Sequence, residues 1–159
     1  MTRLLLTIGI ALTLSTAVSP QTRPDLSGSW KLDEERSISP TYPGFVGPVV
    51  WVITQSPETM TVEVHRGPRT FSIAYTLFDK LPAGAAPKPP SYRGYWQGDS
   101  LITESTQDIE GQTVQTRETR SLASGGREMI VERLVQVEHG YNVRGARSYA
   151  SGRDVFVKQ

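Results

Sequence analysis

The sequence predicts an all-β fold, a single antiparallel up-and-down β-barrel or cup of about 8–10 short strands. Short runs rich in Val, Ile, Thr and aromatic residues recur along the chain, with turn residues between them. No segment after the N-terminus shows the spacing of apolar residues that is typical of an amphipathic helix. A meander of hairpins leaves two exposed edges, and closure into a barrel removes them. A closed barrel is the first expectation, and an open, strongly curved half-barrel is the second.

The first four strands follow from composition and alternation. They are predicted at residues 28–32, 49–55, 59–65 and 70–77. In the third strand Met60, Val62 and Val64 alternate with polar residues, which is the period of a half-buried strand. Apolar residues at every second position from Phe71 to Leu77 give the fourth strand one apolar face.

The second half of the chain continues the same pattern of strands and turns. Strands are predicted at residues 92–97, 100–107, 112–122, 127–137, 141–149 and 153–158. Gly98-Asp99 is a strong signal for a two-residue hairpin turn, and Glu110-Gly111 is expected to turn the next hairpin. Residues 123–126 are expected to form a four-residue loop, and Ser151-Gly152 a turn before the last strand.

One long connection interrupts this meander. Residues 79–91 (DKLPAGAAPKPPS) contain four prolines, which a central strand does not tolerate. Their length predicts a mobile rim loop or a lid, since long loops in compact domains often cover a binding site.

The N-terminus has the pattern of a secretory signal peptide. A basic residue, Arg3, precedes a mainly apolar run at residues 4–14, and small residues at 15–17 follow it. The run is too short to span a bilayer as a helix. Residues 1–17 are therefore predicted to be a cleaved signal, residues 18–24 a disordered lead-in, and residues 25–159 the barrel domain. No integral membrane segment is expected after cleavage.

Composition limits the cellular compartments and the classes of partner that are compatible with the chain. The chain has 17 Lys and Arg and 16 Asp and Glu, and loss of Arg3 with the signal leaves a formal net charge of zero. A neutral domain without long blocks of like charge argues against nucleic acid as a partner. Cysteine is absent, which excludes thiolate chemistry and disulfides. These features favour a secreted or periplasmic protein of the bacterial envelope, held together by its core.

Several segments, read together, resemble the lipocalin-like domains of uncharacterised secreted bacterial proteins. The matching segments are DLSGSWKLD at residues 25–33, VITQ at 52–55, MTV at 60–62, WQGDSLITE at 96–104, residues 116–122, MIVE at 129–132 and VFVK at 155–158. Arg120 departs from the pattern, which has a tryptophan there, and residues 144–147 lengthen the region before the last strand.

The resemblance implies a β-barrel or cup, but no agreed ligand or activity. It also implies that Gly28-Ser29-Trp30 corresponds to the G-x-W of the first lipocalin strand, over which a basic side chain lies. The first and last strands of such a barrel are neighbours, so Lys158 is the best-placed cation for Trp30, ahead of Arg153. Gly28, Trp30 and Lys158 are thus the residues expected to close the barrel.

The sequence shows no catalytic set. His65 and His139 are the only histidines, and nothing brings a second ligand or a nucleophile to either of them. No catalytic residue, metal site or cofactor is therefore predicted. Glu104, Arg117 and Glu132 are expected to lie side by side on three neighbouring strands, as a charge ladder outside the barrel or as a polar floor inside it.

Aromatic residues are the candidates for contact with a ligand. Tyr75, Tyr95 and Trp96 flank the Pro-rich loop, and inside a small barrel such rings either fill the core or line a cavity. The leading hypothesis is an exported, non-enzymatic binding module for a small apolar or amphipathic molecule. The alternative is a structural or protein-interaction domain of the cell envelope, with a filled barrel and no ligand.

Overall fold

The computed structural model describes residues 23–39, 48–84, 88–138 and 147–159, and these form a closed β-barrel. Its strands are β1 (Gly28–Leu32), β2 (Val49–Gln55), β3 (Thr59–Arg66), β4 (Arg69–Phe78), β5 (Ser91–Gln97), β6 (Ser100–Ile109), β7 (Gln112–Ala123), β8 (Glu128–Glu138) and β9 (Arg147–Lys158). The strands neighbour one another in chain order, and β9 returns to pair with β1. The all-β barrel predicted from the sequence is confirmed, and it is closed.

One pair of strands departs from the antiparallel pattern that the sequence predicts. β4 and β5 run parallel, with Thr76 opposite Arg93 and Phe78 opposite Tyr95. The other neighbouring pairs are antiparallel. A closed ring in which every neighbour is antiparallel needs an even number of strands. The nine strands described here therefore require a parallel pair.

The Pro-rich connection makes this parallel pair, because parallel neighbours need a crossover rather than a hairpin. It leaves β4 after Phe78, where Asp79 forms an ion pair of 2.8 Å with Arg23. It re-enters the sheet at Ser91, two positions before Arg93, which faces Thr76. The connection therefore joins two parallel neighbours, and residues 85–87 within it lie outside the described residues. The long connection predicted from the sequence is thus a crossover between parallel strands.

Apolar side chains fill one end of the barrel. Alternation along each strand turns every second residue inward, and these residues pack together. The core includes Leu26, Trp30, Ile53, Met60, Leu77, Trp96, Leu101, Met129 and Phe156. Leu26, which precedes β1, packs with them, and its carbonyl oxygen accepts a hydrogen bond of 2.8 Å from Trp30 Nε1. We call this part of the barrel the closed end.

Two boundaries differ from those expected. The sequence predicts a turn at Ser151-Gly152, but both residues lie inside β9, opposite Leu134 and Arg133. The last two residues of the predicted disordered lead-in contact the barrel, since Gln55 Nε2 donates a hydrogen bond of 3.2 Å to the Pro24 carbonyl oxygen. The predicted signal at residues 1–17 lies outside the described residues. Within the described ranges, none of the helical segments is long and apolar enough to cross a lipid bilayer.

Candidate ligand-binding site

A cavity of about 190 Å³ lies inside the barrel, beyond the apolar closed end. Its lining residues are Trp51, Val62, Val64, Arg66, Phe71, Ile73, Tyr75, Ser105, Gln107, Thr116, Glu118, Arg120 and Arg133. Phe71 is the most exposed of them, at 45%, and marks the side on which the cavity opens. Apart from Arg66 the cavity is apolar along β3 and β4, and it is polar along β6 and β7, so it offers two different walls to a ligand.

Buried charges form the polar side of the cavity. Glu118 on β7 accepts hydrogen bonds from Arg120 on the same strand and from Arg133 on β8. Arg133 Nε lies 2.7 Å from Glu118 Oε1, and its Nη1 lies 2.7 Å from Asp154 Oδ2 on β9. Arg120 also donates to Thr103 Oγ1 on β6. We call Glu118, Arg120, Arg133 and Asp154 the charge cluster; two cations and two anions balance in it.

Aromatic rings pack against the arginines of this cluster. The guanidinium carbon of Arg120 lies 5.4 Å from the Trp51 ring centroid and 5.5 Å from that of Tyr75. The guanidinium carbon of Arg133 lies 5.8 Å from the Trp51 ring. Cation–π attraction is stronger where water is excluded, so these rings help to hold the buried cations.

The environment shifts the pKa values of the two carboxyl groups of the cluster in opposite directions. Burial alone raises the pKa of Glu118, but the attraction of Arg120 and Arg133 outweighs it and leaves the pKa below its ordinary value. Burial raises the pKa of Asp154, and here the attraction of Arg133 does not compensate. Burial also raises the pKa of Tyr75 to about 12. The Glu118 carboxylate is thus the anion that the two arginines hold in its charged form.

Three buried polar atoms in this region lack a hydrogen-bond partner among the described residues. They are Trp51 Nε1, Arg120 Nε and Asp154 Oδ1. Buried polar groups are paired in the great majority of cases. The first two are N–H donors, and both belong to side chains that line the cavity.

The structure does not bring the three predicted ligand-contact residues together. Tyr75 lines the cavity. Tyr95 lies on the outer face of β5, where its hydroxyl donates a hydrogen bond of 3.2 Å to Glu104 Oε1. Trp96 lies on the inner face but packs in the closed end, where the guanidinium carbon of Arg23 is 5.7 Å from its ring centroid. Only Tyr75 of the three faces the cavity.

The residues expected to close the barrel meet where β1 pairs with β9. Trp30 is opposite Lys158, whose Nζ lies 5.1 Å from the Trp30 ring centroid. Gly28 has a φ of +131°, and a Cβ there would lie 3.0 Å from Lys158 Cε. A side chain at position 28 would therefore be strained and would push the lysine away from the ring.

The predicted charge ladder is present in one of its two steps. Glu104 is opposite Arg117, but Arg117 is opposite Leu134, while Glu132 faces Thr119. The loop between β7 and β8 is residues 124–127, one residue later than predicted, and this moves each partner by two positions. The ladder residues lie on the outer face, where Glu104 forms an ion pair of 2.7 Å with Arg93.

Sequence reasoning missed the polar residues that do face inward. β7 is polar at nearly every position, so hydrophobic alternation gives no signal in it. The available signal is indirect: every second position back from the partly buried Leu122 leads to Arg120 and Glu118. A second signal is that Arg120 replaces the tryptophan of the lipocalin-like pattern, which indicates an interior that differs from that pattern at this position.

The described histidine lies away from the cavity. His65 is on the outer face of β3, with its Nε2 2.6 Å from Glu63 Oε1. His139 lies outside the described residues. In the part of the chain that the structure describes, no group of three or more potential metal ligands comes together.

Comparison with known proteins identifies no family for this chain. No family model matches the chain. No curated protein matches it. Among solved structures it is similar to the fluorescent protein UnaG, with 14% identity, a TM-score of 0.49, and coverage of 84% of this chain and 97% of that one. It is also similar to the REP1-NXSQ fatty acid transporter, with 11% identity, a TM-score of 0.41, and coverage of 84% and 96%.

Proposed function

We propose that this chain is an exported, non-enzymatic binding module that holds a small apolar or amphipathic molecule inside its barrel. The observation that carries the proposal is the cavity itself: one wall is apolar and aromatic, and Phe71 stands at the opening with 45% of its surface exposed. Pockets for small molecules combine such apolar walls with a few polar groups. The imidazole of His65 lies on the outer face, away from this pocket.

The volume of the cavity limits what enters it. An engineered apolar cavity of about 150 Å³ binds benzene. The present cavity of about 190 Å³ is therefore suited to one ring-sized group. A longer ligand would place that group inside and extend the rest past Phe71 into solvent.

Filling the cavity from within tests the proposal. Ile73→Trp places a large ring in the cavity, whereas Ala74→Trp places the same ring on the outer face of β4. We expect wild type and Ala74→Trp to bind ethylbenzene with dissociation constants within about twofold of each other, and Ile73→Trp to bind at least about tenfold more weakly, which corresponds to about 1.4 kcal/mol. Chemical-shift titration measures all three.

Native mass spectrometry of the exported protein supplies a second measurement. A retained non-protein mass would support a binding role. A clean apo mass, together with no ethylbenzene shifts in the wild type, would favour the structural or interaction domain with a filled barrel.

A further inference from the structure

We propose that the polar end of the cavity recognises an uncharged hydrogen-bond acceptor, such as a ketone, ester or amide oxygen, in preference to a carboxylate. This inference rests on the proposed binding function and specifies the ligand of the same site. It follows from the juxtaposition of two unpaired donors with a charge cluster that is already balanced.

The donors come from opposite walls. Trp51 Nε1 on β2 and Arg120 Nε on β7 are both buried and both lack a partner among the described residues. The side chains contact each other, with the Arg120 guanidinium carbon 5.4 Å from the Trp51 ring centroid. Neither an indole N–H nor a guanidinium N–H accepts a hydrogen bond. A ligand group that satisfies them must therefore be an acceptor.

The charges around the cavity determine whether a neutral or an anionic acceptor is favoured. The other two nitrogens of Arg120 already donate to Glu118 and Thr103, and Arg133 is held by Glu118 and Asp154. A ligand carboxylate would add a third anion beside a cluster that has two cations. Burying an unbalanced charge is far more costly than burying a neutral carbonyl. Arg66, the other cation on the lining, is partly exposed, so solvent weakens its attraction for an anion.

Three ring-sized probes separate the alternatives. Acetophenone carries an uncharged acceptor, benzoate an anionic one, and ethylbenzene none. Each probe is to be titrated into the exported chain at pH 7, and its dissociation constant is to be obtained from the chemical-shift changes. We expect acetophenone to bind at least about fivefold more tightly than ethylbenzene, as one added hydrogen bond predicts, and at least about tenfold more tightly than benzoate.

The outcomes distinguish this inference from the binding function. Benzoate binding as tightly as acetophenone would overturn the preference for an uncharged group. Ethylbenzene binding as tightly as acetophenone would overturn the acceptor site, and the apolar binding function would stand. If no probe binds at millimolar concentration, the binding function and this inference both fail.

A conservative variant then assigns the donor. Trp51→Phe removes the indole N–H and keeps an aromatic ring in the cavity. We expect it to bind acetophenone about fivefold more weakly and ethylbenzene within about twofold of wild type. Trp96→Phe, in the closed end, is the matched control and should leave both affinities within twofold. An unchanged preference for acetophenone in a folded Trp51→Phe would contradict the role of Trp51. The comparison of the three probes on the wild type tests the proposal even if this variant does not fold.

Discussion

Trp30 is a single side chain that connects the first strand with the last strand and with the segment before β1. Its indole is fully buried, its Nε1 donates to Leu26, and Lys158 of the last strand lies over its ring. The side chain thus fills the closed end, anchors the segment before β1, and contacts β9. Its loss would leave a cavity that these surrounding strands close only in part.

We predict that Trp30→Ala lowers the free energy of unfolding by about 3–5 kcal/mol, the range for truncating a large buried aromatic residue. Urea denaturation measures it. Lys158→Met removes the cation and keeps an unbranched stem, and it should cost only about 0.5–1 kcal/mol, since the ammonium is exposed. A loss below about 1 kcal/mol in Trp30→Ala would show that the ring is not a core element.

Glu118 provides the second prediction at this scale. Glu118→Gln leaves two buried guanidinium groups with Asp154 as the remaining anion of the cluster. We expect a loss of about 3–5 kcal/mol at pH 7, as for other broken buried ion pairs. Glu132→Gln, an exposed acid on β8, is the matched control and should change stability by less than about 0.5 kcal/mol.

The pH dependence of this loss has a defined sign. Because the folded-state pKa of Glu118 is lowered from 4.5, its contribution is fully present above about pH 4.5 and disappears as the pH falls through the folded value. Asp154 has a raised pKa and behaves in the opposite sense: its contribution is present below 3.8 and is lost as the pH rises. Glu118→Gln should therefore approach wild type in acid. A constant difference from pH 7 to pH 3 would contradict the assignment.

The parallel pair of β4 and β5 imposes a packing constraint at Gly94. Gly94 faces Leu77 across the pair, and a Cβ at position 94 would lie 2.7 Å from Leu77 Cδ2. Leu77 is buried in the closed end and has little room to move. The absence of a side chain at position 94 therefore lets the parallel strands approach.

We predict that Gly94→Ala destabilises the protein by about 1–3 kcal/mol through overpacking. In a Leu77→Val background the obstructing methyl is gone, so the same substitution should cost at least about 1 kcal/mol less. Thermal or urea unfolding of the four proteins in this cycle gives the coupling. Additive effects of the two substitutions would show that the contact between positions 94 and 77 is not limiting.

At the scale of the whole molecule, the two ends of the barrel have different tasks. The closed end is packed with apolar side chains, while the cavity end holds the charge cluster and the unpaired donors. A protein can keep buried polar groups at a binding site if packing elsewhere provides the stability. Substitutions in the closed end should therefore act mainly on stability.

Export is also a property of the whole chain, and it stays a prediction. The basic start, the apolar run at residues 4–14 and the small residues after it predict cleavage near Val18. The intact mass of the exported protein should lack the first 17–19 residues. Deleting residues 2–14 should leave the protein in the cytoplasm. Retention of Met1 on a membrane-embedded form would contradict the proposed compartment.

Local sequence patterns determined most of the strands and hairpin turns. Alternation in β3 and β4 depends on which residues face a core, and that period is visible in the sequence. The turn at Gly98-Asp99 was predictable because its geometry demands the left-handed backbone that glycine adopts, and Gly98 has a φ of +61°. Glu110 and Gly111, both with positive φ, form the next turn for the same reason.

Only the tertiary structure decided the parallel pair, the register after β7 and the polar side of the cavity. The parallel pair follows from closing an odd number of strands, which no local pattern contains. The loop at 124–127 has the predicted length but lies one residue later, which moved the partner of Arg117 from Glu132 to Leu134. A loop that shifts by one position displaces every cross-strand partner by two. In β7, where nearly every residue is polar, the partly buried Leu122 gives only an indirect signal of which residues face inward. The inward direction of Glu118 and Arg120 depends on the partners that β6 and β8 present, Thr103 and Arg133, because a buried charge is costly unless it is paired.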